Sequence, residues 1–145
     1  MRTHLLQGDA KAARFVELHE DGFDTPEDAL PLVGTRIAKL PRPFDALVLG
    51  MGEDGHTASF FPGGDRLTIA TDPLTRNLVL PMNAPGAGEP RVTLTLPVVL
   101  DTRHLYLHIE GAKKRALLDA AKHDGDYPIG SVLRNAQSLD VYWCD

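Results

Sequence analysis

Short apolar runs alternate along this chain with segments whose apolar residues recur at helical spacing. The runs predict strands, and the helically spaced positions predict helices. Strands are predicted at residues 13–19, 45–49, 77–80, 91–96, 104–110 and 139–143. Helices are predicted at residues 25–40, 112–123 and 128–134, and residues 1–7 have the pattern of an amphipathic helix that ends near Gly8. This alternation indicates an α/β fold with a mainly parallel sheet flanked by helices.

Residues at the starts of two predicted helices carry further information. Thr25 or Asp24 is placed to cap the helix in which Pro26 takes the first position, where proline is favoured. The helix that begins near residue 112 instead has three basic residues, at 113–115, in its first turn. Basic residues there oppose the helix dipole. Either an anion binds at this turn, or the turn presents a solvated basic face.

A glycine-rich turn follows the predicted strand at residues 45–49. It contains three glycines, an acid and a histidine: Gly50, Gly52, Asp54, Gly55 and His56. A short, wholly apolar run is typical of a strand buried on both faces of a parallel sheet. Glycines after such a strand permit a tight turn and close approach of a ligand. Asp54 and His56 are therefore expected at the carboxyl end of a central strand, where open α/β sheets bind ligands.

Two other interpretations of this turn are less well supported. Its glycines satisfy G-x-G-x-x-G, but a dinucleotide site needs a full helix directly afterwards, and only residues 57–61 precede Pro62 and Gly63. Asp54, His56 and Glu53 are possible metal ligands, but no third or fourth ligand follows at regular spacing. We expect neither a metal nor a cofactor. The remaining histidines are predicted to be surface or half-buried residues: His4, His19, His104, His108 and His123.

The Asp54–His56 pair favours general acid–base chemistry. Histidine titrates near neutrality, and a neighbouring carboxylate can orient its ring and stabilise the protonated form. Ser59 lies outside a G-x-S-x-G elbow, so nothing indicates a serine nucleophile. The histidine is therefore expected to act directly on water or substrate, without a covalent intermediate.

Composition limits the possible partners and location. The 145 residues suit one domain, 1–145, and the net charge of −5 without a basic run argues against a nucleic-acid partner. No apolar stretch is long enough for a membrane span. The one cysteine, Cys144, has no partner for an internal disulfide, which suits a reducing compartment. A cytoplasmic protein is expected.

At this level of detail the chain resembles the 6-phosphogluconolactonase family. Residues 49–63 match the family signature closely, and residues 91–97, 111–114 and 127–129 agree with it in order. The resemblance covers essentially the whole chain. It implies a Rossmann-like three-layer fold and hydrolysis of 6-phospho-D-glucono-1,5-lactone to 6-phosphogluconate, a step of the oxidative pentose phosphate pathway.

The resemblance also implies roles for individual residues. His56 would deprotonate the attacking water, and Asp54 would orient its ring. The backbone N–H groups of Gly50, Gly52 and Gly55 would stabilise the oxyanion that forms at the lactone carbonyl. Arg91 and Lys114 would bind the substrate phosphate. For Arg91 the alternative is a surface arginine at the end of a strand.

Two alternatives remain at the level of function. Glucosamine-6-phosphate deaminase shares the Gly-Asp-Gly-His core, but this chain has Phe61 where that enzyme has a functional glutamate, which favours the lactonase. Family members are substantially longer and bring an N-terminal Gly-Gly-Ser/Thr phosphate loop and an Asp-Glu-Arg segment. The chain is thus expected to be a C-terminal part, with a sheet edge exposed to self-association. A non-catalytic sugar-phosphate-binding or assembly module is the alternative to an enzyme.

Overall fold

The computed structural model describes residues 3–4, 6–123 and 126–145. The predicted helix end at residues 1–7 lies partly outside these ranges. A 3₁₀-helix covers Gly8–Ala12. The helices are α1 (Pro26–Ala38), α2 (Leu67–Ala70), α3 (Leu96–Leu100), α4 (Ala112–Ala121) and α5 (Ile129–Asn135). The strands are β1 (Leu47–Gly50), β2 (Val79–Met82), β3 (Arg91–Leu94), β4 (Leu105–Glu110) and β5 (Asp140–Cys144).

Helix α1 begins as its sequence predicts. The backbone N–H of Asp28 donates to the Thr25 hydroxyl, 3.3 Å away, and proline follows this cap. Apolar residues one turn apart then face inward, because positions four apart share a helix face. These buried residues pack with Val79 of β2 in a small core: Ala29, Val33 and Ile37.

The main sheet is parallel and has the order β1-β4-β5. Its inner face packs on α4 and α5 in one core that includes Leu107, Ile109, Leu118 and Ile129. Strands β2 and β3 form a separate antiparallel pair. The structure thus confirms the α/β class and the parallel sheet flanked by helices. No helix in the described ranges has the length and apolar character that a membrane span requires.

The strand predicted at residues 13–19 is wrong, and the strand predicted at 77–80 lies two residues further on. Residues 13–17 are irregular. The Arg36 guanidinium donates to the carbonyls of Glu17 and His19, at 2.7 and 3.3 Å. These carbonyls thus accept hydrogen bonds from a side chain, whereas in a strand they would accept them from the backbone of a neighbouring strand.

Within the described residues the predicted central position of β1 is also wrong, because β1 there forms an edge of the three-stranded sheet. Leu49 is 5 % exposed, but Val48 on the opposite face is 67 % exposed. The apolar run predicted burial on both faces. Which face receives a covering layer depends on tertiary packing, and the described chain covers only the face of Leu49.

Candidate active site

The turn after β1 is folded back by its own hydrogen bonds. Gly52 N–H donates to the His56 carbonyl over 2.9 Å, and Gly55 N–H donates to the Gly52 carbonyl over 3.1 Å. The Thr57 hydroxyl donates to the Gly50 carbonyl over 2.8 Å. Gly55 has φ +79°, a conformation that a residue with a Cβ adopts at a cost. These contacts bring the side chains of residues 54 and 56 together at the carboxyl end of β1.

Asp54 and His56 form a hydrogen-bonded pair in this turn. The imidazole Nδ1 lies 2.6 Å from Asp54 Oδ1, and the His56 backbone N–H donates to the same oxygen over 3.1 Å. Partial burial raises the pKa of the Asp54 carboxyl, but hydrogen bonds from the His56 backbone and ring outweigh it and leave that pKa below its ordinary value. An ionised Asp54 accepts the Nδ1 proton, so the Nε2 lone pair of a neutral ring remains available.

The imidazole is also fixed by packing. A Cβ on Gly52 would lie 2.3 Å from both Cε1 and Nδ1 of His56, so only glycine leaves room for the ring. The ring of Phe61, which is buried, lies 4.4 Å from the imidazole centroid at an interplanar angle of 31°. The glycine thus has a specific steric role in placing the histidine.

Helix α5 supports the turn from behind. Ile129 N–H donates to the Gly55 carbonyl over 3.0 Å. The Tyr127 side chain packs so closely on Gly55 that a Cβ there would come within 2.8 Å of it. The sequence pattern predicted a helix at residues 128–134, and only the family resemblance singled out residues 127–129 beyond that. Their structural role could not be read from local spacing, because they lie about seventy residues from the turn.

The three basic residues in the first turn of α4 have different environments. Lys113 Nζ lies 2.6 Å from Glu53 of the turn, and this hydrogen bond and charge lower the pKa of the Glu53 carboxyl. Arg115 pairs with Asp119 of its own helix at 3.3 Å. Lys114 makes no ion pair or hydrogen bond within the described ranges. This difference favours Lys114 over its two neighbours as a ligand for an external anion.

A cavity of about 630 Å³ lies at the carboxyl ends of β1 and β4. Among the residues lining it are Gly50, Gly52, His56, His108, Glu110 and Lys114. Arg91 lines a different cavity, of about 550 Å³. Its guanidinium contacts the Ala87 carbonyl and the Glu89 carboxylate, each at 3.1 Å. The structure thus brings Lys114 to the histidine's cavity and places Arg91 outside it.

The oxyanion role expected of the glycines stays a prediction, and two of their N–H groups already have partners. The N–H groups of Gly52 and Gly55 are already donated to carbonyls inside the turn. An N–H that is used in this way has little capacity left for a second acceptor. Gly52 and Gly55 therefore shape the turn.

Within the described ranges, the Asp54–His56 pair also belongs to no group of three side chains close enough to share a metal ion.

Comparison with known proteins shows the family. Residues 1–143 match the family model described as glucosamine-6-phosphate isomerases/6-phosphogluconolactonase. The 6-phosphogluconolactonase of Rhizobium meliloti (strain 1021) is 49 % identical over 144 residues, which cover 97 % of this chain and 62 % of the relative. That of Mesorhizobium japonicum is 46 % identical, covering 97 % and 60 %.

A solved structure gives the same assignment. The crystal structure of a 6-phosphogluconolactonase from Shewanella baltica OS155 superimposes with a TM-score of 0.88 at 36 % identity, covering 98 % of this chain and 61 % of that one. The chain thus spans about three-fifths of the length of the relatives it matches. From its sequence, its fold and the turn after β1, the chain belongs to the glucosamine-6-phosphate isomerase/6-phosphogluconolactonase family.

Proposed function

We propose that this chain carries the acid–base centre of a 6-phosphogluconolactonase, which hydrolyses 6-phospho-D-glucono-1,5-lactone to 6-phosphogluconate. The observation that carries the proposal is the 2.6 Å contact between Asp54 and His56 at the carboxyl end of β1. The names of the relatives favour the lactonase within a family whose description also includes isomerases.

In the proposed reaction, His56 Nε2 takes a proton from water as the water oxygen attacks the lactone carbonyl. The tetrahedral intermediate collapses, and the bond between the carbonyl carbon and the ring oxygen breaks. The imidazolium then returns its proton to that ring oxygen, which becomes the hydroxyl of the open acid. Asp54 holds the ring through Nδ1 and stabilises its positive charge while the proton is on Nε2.

Lys114 is the proposed contact for the substrate phosphate. It lines the cavity of His56 and belongs to the first turn of the ten-residue helix α4. Backbone N–H groups and the dipole at such a turn also favour an anion. Arg91 as a second phosphate contact stays a prediction, and it requires the substrate or Arg91 to reach beyond the cavity described above.

The catalytic part is tested by removing the histidine. His56→Ala should lower kcat by ~10²-fold or more, as expected for loss of a general base. Asp54→Asn should also lower kcat, because the ring would lose its orienting carboxylate. His104→Ala, which changes an exposed histidine outside the cavity, is the matched control. Rates must be compared with spontaneous lactone hydrolysis. Wild-type turnover in a folded His56→Ala protein would refute the proposed mechanism.

The phosphate part is tested by calorimetry with two ligands. Lys114→Ala should weaken binding of 6-phosphogluconate but leave binding of unphosphorylated gluconate almost unchanged. Lys122→Ala is the control, because Lys122 is already paired with Asp119 at 2.7 Å. Unchanged affinities for both ligands would remove Lys114 from the site. Selective phosphate binding without turnover in the wild type would instead favour the non-catalytic binding module.

The remaining proposals concern partners and location. We infer self-association through the β1 edge, because edge strands present unpaired backbone groups and Val48 beside them is exposed. Cys144 is an exposed free cysteine, which supports a reducing, cytoplasmic compartment. Cell fractionation tests the location, and light scattering tests the association.

A further inference from the structure

Three side chains with metal-binding chemistry meet at the carboxyl ends of β4 and β5. His108 and Glu110 are two residues apart on β4, so both point to the same face of the sheet. The parallel register places Cys144 of β5 beside Glu110. The ligand atoms of all three lie within 4.8 Å of one another. We propose that His108, Glu110 and Cys144 form a binding site for a divalent transition-metal ion such as Zn²⁺.

The distances between the ligand atoms are close to those of a four-coordinate ion. Zn²⁺ bonds to N, O and S ligands are about 2.0–2.3 Å long, which puts tetrahedral ligands roughly 3.3–3.8 Å from one another. His108 Nε2 already lies 3.7 Å from Glu110 Oε1. All three side chains are exposed and have room to turn. The cysteine sulfur lies within 4.8 Å of the other two ligand atoms, so these exposed side chains have to close by about 1 Å or less to reach tetrahedral spacing.

The donor set selects the class of metal. Imidazole, carboxylate and cysteine sulfur together suit Zn²⁺ or Co²⁺, whereas Mg²⁺ and Ca²⁺ prefer oxygen ligands alone. One carboxylate and one thiolate would neutralise a divalent ion. Three protein ligands leave a fourth position for water, as in zinc sites that remain open to a further ligand.

The backbone under these ligands is joined across the sheet. Gly111 N–H donates to the Cys144 carbonyl over 2.9 Å, just beyond the paired strands. The Trp143 indole N–H donates back to the Gly111 carbonyl over 3.2 Å. These two bonds connect the ends of β4 and β5. The ligands are therefore held on a fixed pair of strand ends, and metal binding would not need to order this backbone.

The site is distinct from the Asp54–His56 pair. His108 and Glu110 line the cavity of His56, but Cys144 does not. The proposed ion is a ligand of the sheet edge beside the cavity and takes no part in the acid–base mechanism. Its test therefore needs no lactonase activity, and failure of one proposal leaves the other standing.

Cobalt provides the test, because Co²⁺ substitutes for Zn²⁺ and reports its ligands by absorption. Titration of the 145-residue protein should show one Co²⁺ per chain, with a thiolate-to-cobalt charge-transfer band and intense visible bands of a four-coordinate ion. Cys144→Ser should abolish the charge-transfer band. His108→Ala and Glu110→Gln should each lower the affinity for Co²⁺ by ~10- to 100-fold or more. Even the loss of an outer-shell partner lowers metal affinity by that factor.

The control is His104→Ala, which removes an exposed histidine just before β4 and should leave Co²⁺ affinity unchanged. Circular dichroism verifies that each variant is folded. Absence of stoichiometric binding to the wild type would overturn the proposal. The proposal would also be overturned if the His108 and Glu110 variants kept both the charge-transfer band and the wild-type affinity for Co²⁺, since the thiol would then bind the ion without them. One ion for every two chains, with a dimer seen by light scattering, would also overturn it, because the site would then lie between copies.

Discussion

Gly52 is the position at which a single methyl group should disable the proposed centre. Its backbone does not have positive φ, so alanine can take the same conformation. The new Cβ, however, would lie 2.3 Å from His56 Cε1 and Nδ1 and 2.7 Å from Asp54 Oδ1. Carbon and its non-bonded neighbours normally stay about 3.5 Å or more apart. In Gly52→Ala the imidazole must therefore move by roughly 1.2 Å or rotate away.

The expected loss follows from that displacement. A misplacement of about 1 Å can reduce a rate by ~10²-fold, which corresponds to ~2.7 kcal/mol in the activation free energy. The same movement breaks the 2.6 Å contact between His56 and Asp54. The free energy of unfolding should change much less than this activation free energy. Both side chains are partly exposed, and glycine-to-alanine changes at compatible sites contribute about 0.4–1 kcal/mol in favour of folding.

The assay combines turnover with a direct measurement of the pair. Lactone hydrolysis gives kcat, and NMR titration of the Asp54 carboxyl reports its hydrogen bonds to His56. In Gly52→Ala the pKa of Asp54 should rise towards its ordinary value of 3.8. The matched control is Gly34→Ala in α1, where the new Cβ would meet Val79 at an ordinary 3.7 Å. This control should keep full kcat and gain up to ~1 kcal/mol in stability.

One result would refute the steric argument. If folded Gly52→Ala retains wild-type kcat and a lowered Asp54 pKa, the ring has found an equally good position, and Gly52 does not determine the histidine's placement. A loss of kcat with an unchanged Asp54 pKa would mean that the methyl group acts on the substrate and leaves the pair intact.

Three further predictions follow from the same structure. Gly55→Ala, at φ +79° and against Tyr127, should lower the unfolding free energy by ~1–3 kcal/mol in urea titrations; an unchanged midpoint would contradict the strain. Because the folded pKa of Asp54 is depressed, its stabilisation is present above pH 3.8 and lost as pH falls through the folded pKa. The stability difference between wild type and Asp54→Asn should therefore shrink below that pH, and a difference independent of pH would count against the pair. Val48→Lys on the β1 edge should reduce self-association in light scattering, whereas Leu74→Lys, at an even more exposed apolar site outside the strands, should not. Equal effects of the two variants would mean that association depends on exposed apolar surface in general.

Much of the fold could be predicted from local pattern. Helix α1 begins at Thr25 and Pro26 because capping and the fixed φ of proline are properties of the adjacent residues. Strand β4 and helix α4 follow one another as the change of apolar period indicates. The glycine-rich turn and its Asp54–His56 pair were also identified, since both residues lie within four positions of Gly52. These features depend on interactions between near neighbours in the sequence.

Tertiary structure decided what depends on distant partners. The run at residues 46–49 is apolar throughout, but whether it is central or at an edge depends on which strands pair with it. In the part of the chain that the structure describes, β1 pairs with β4 alone. The segment at residues 13–19 has strand-like composition but contacts Arg36 in place of a ladder. Composition specifies a tendency to be buried, and it does not specify the surface that provides the burial.

The site divides in the same way. The sequence by itself determined that a histidine and a carboxylate lie together in a glycine turn after a strand. It did not determine that Gly52 makes room for the ring, that Lys114 alone among three neighbouring cations is unpaired within the described ranges, or that Arg91 lines another cavity. Nor could it bring Cys144 beside Glu110, because strand register joins residues 34 positions apart. Backbone propensity acts over a few residues, whereas these contacts are set by how the strands and helices pack.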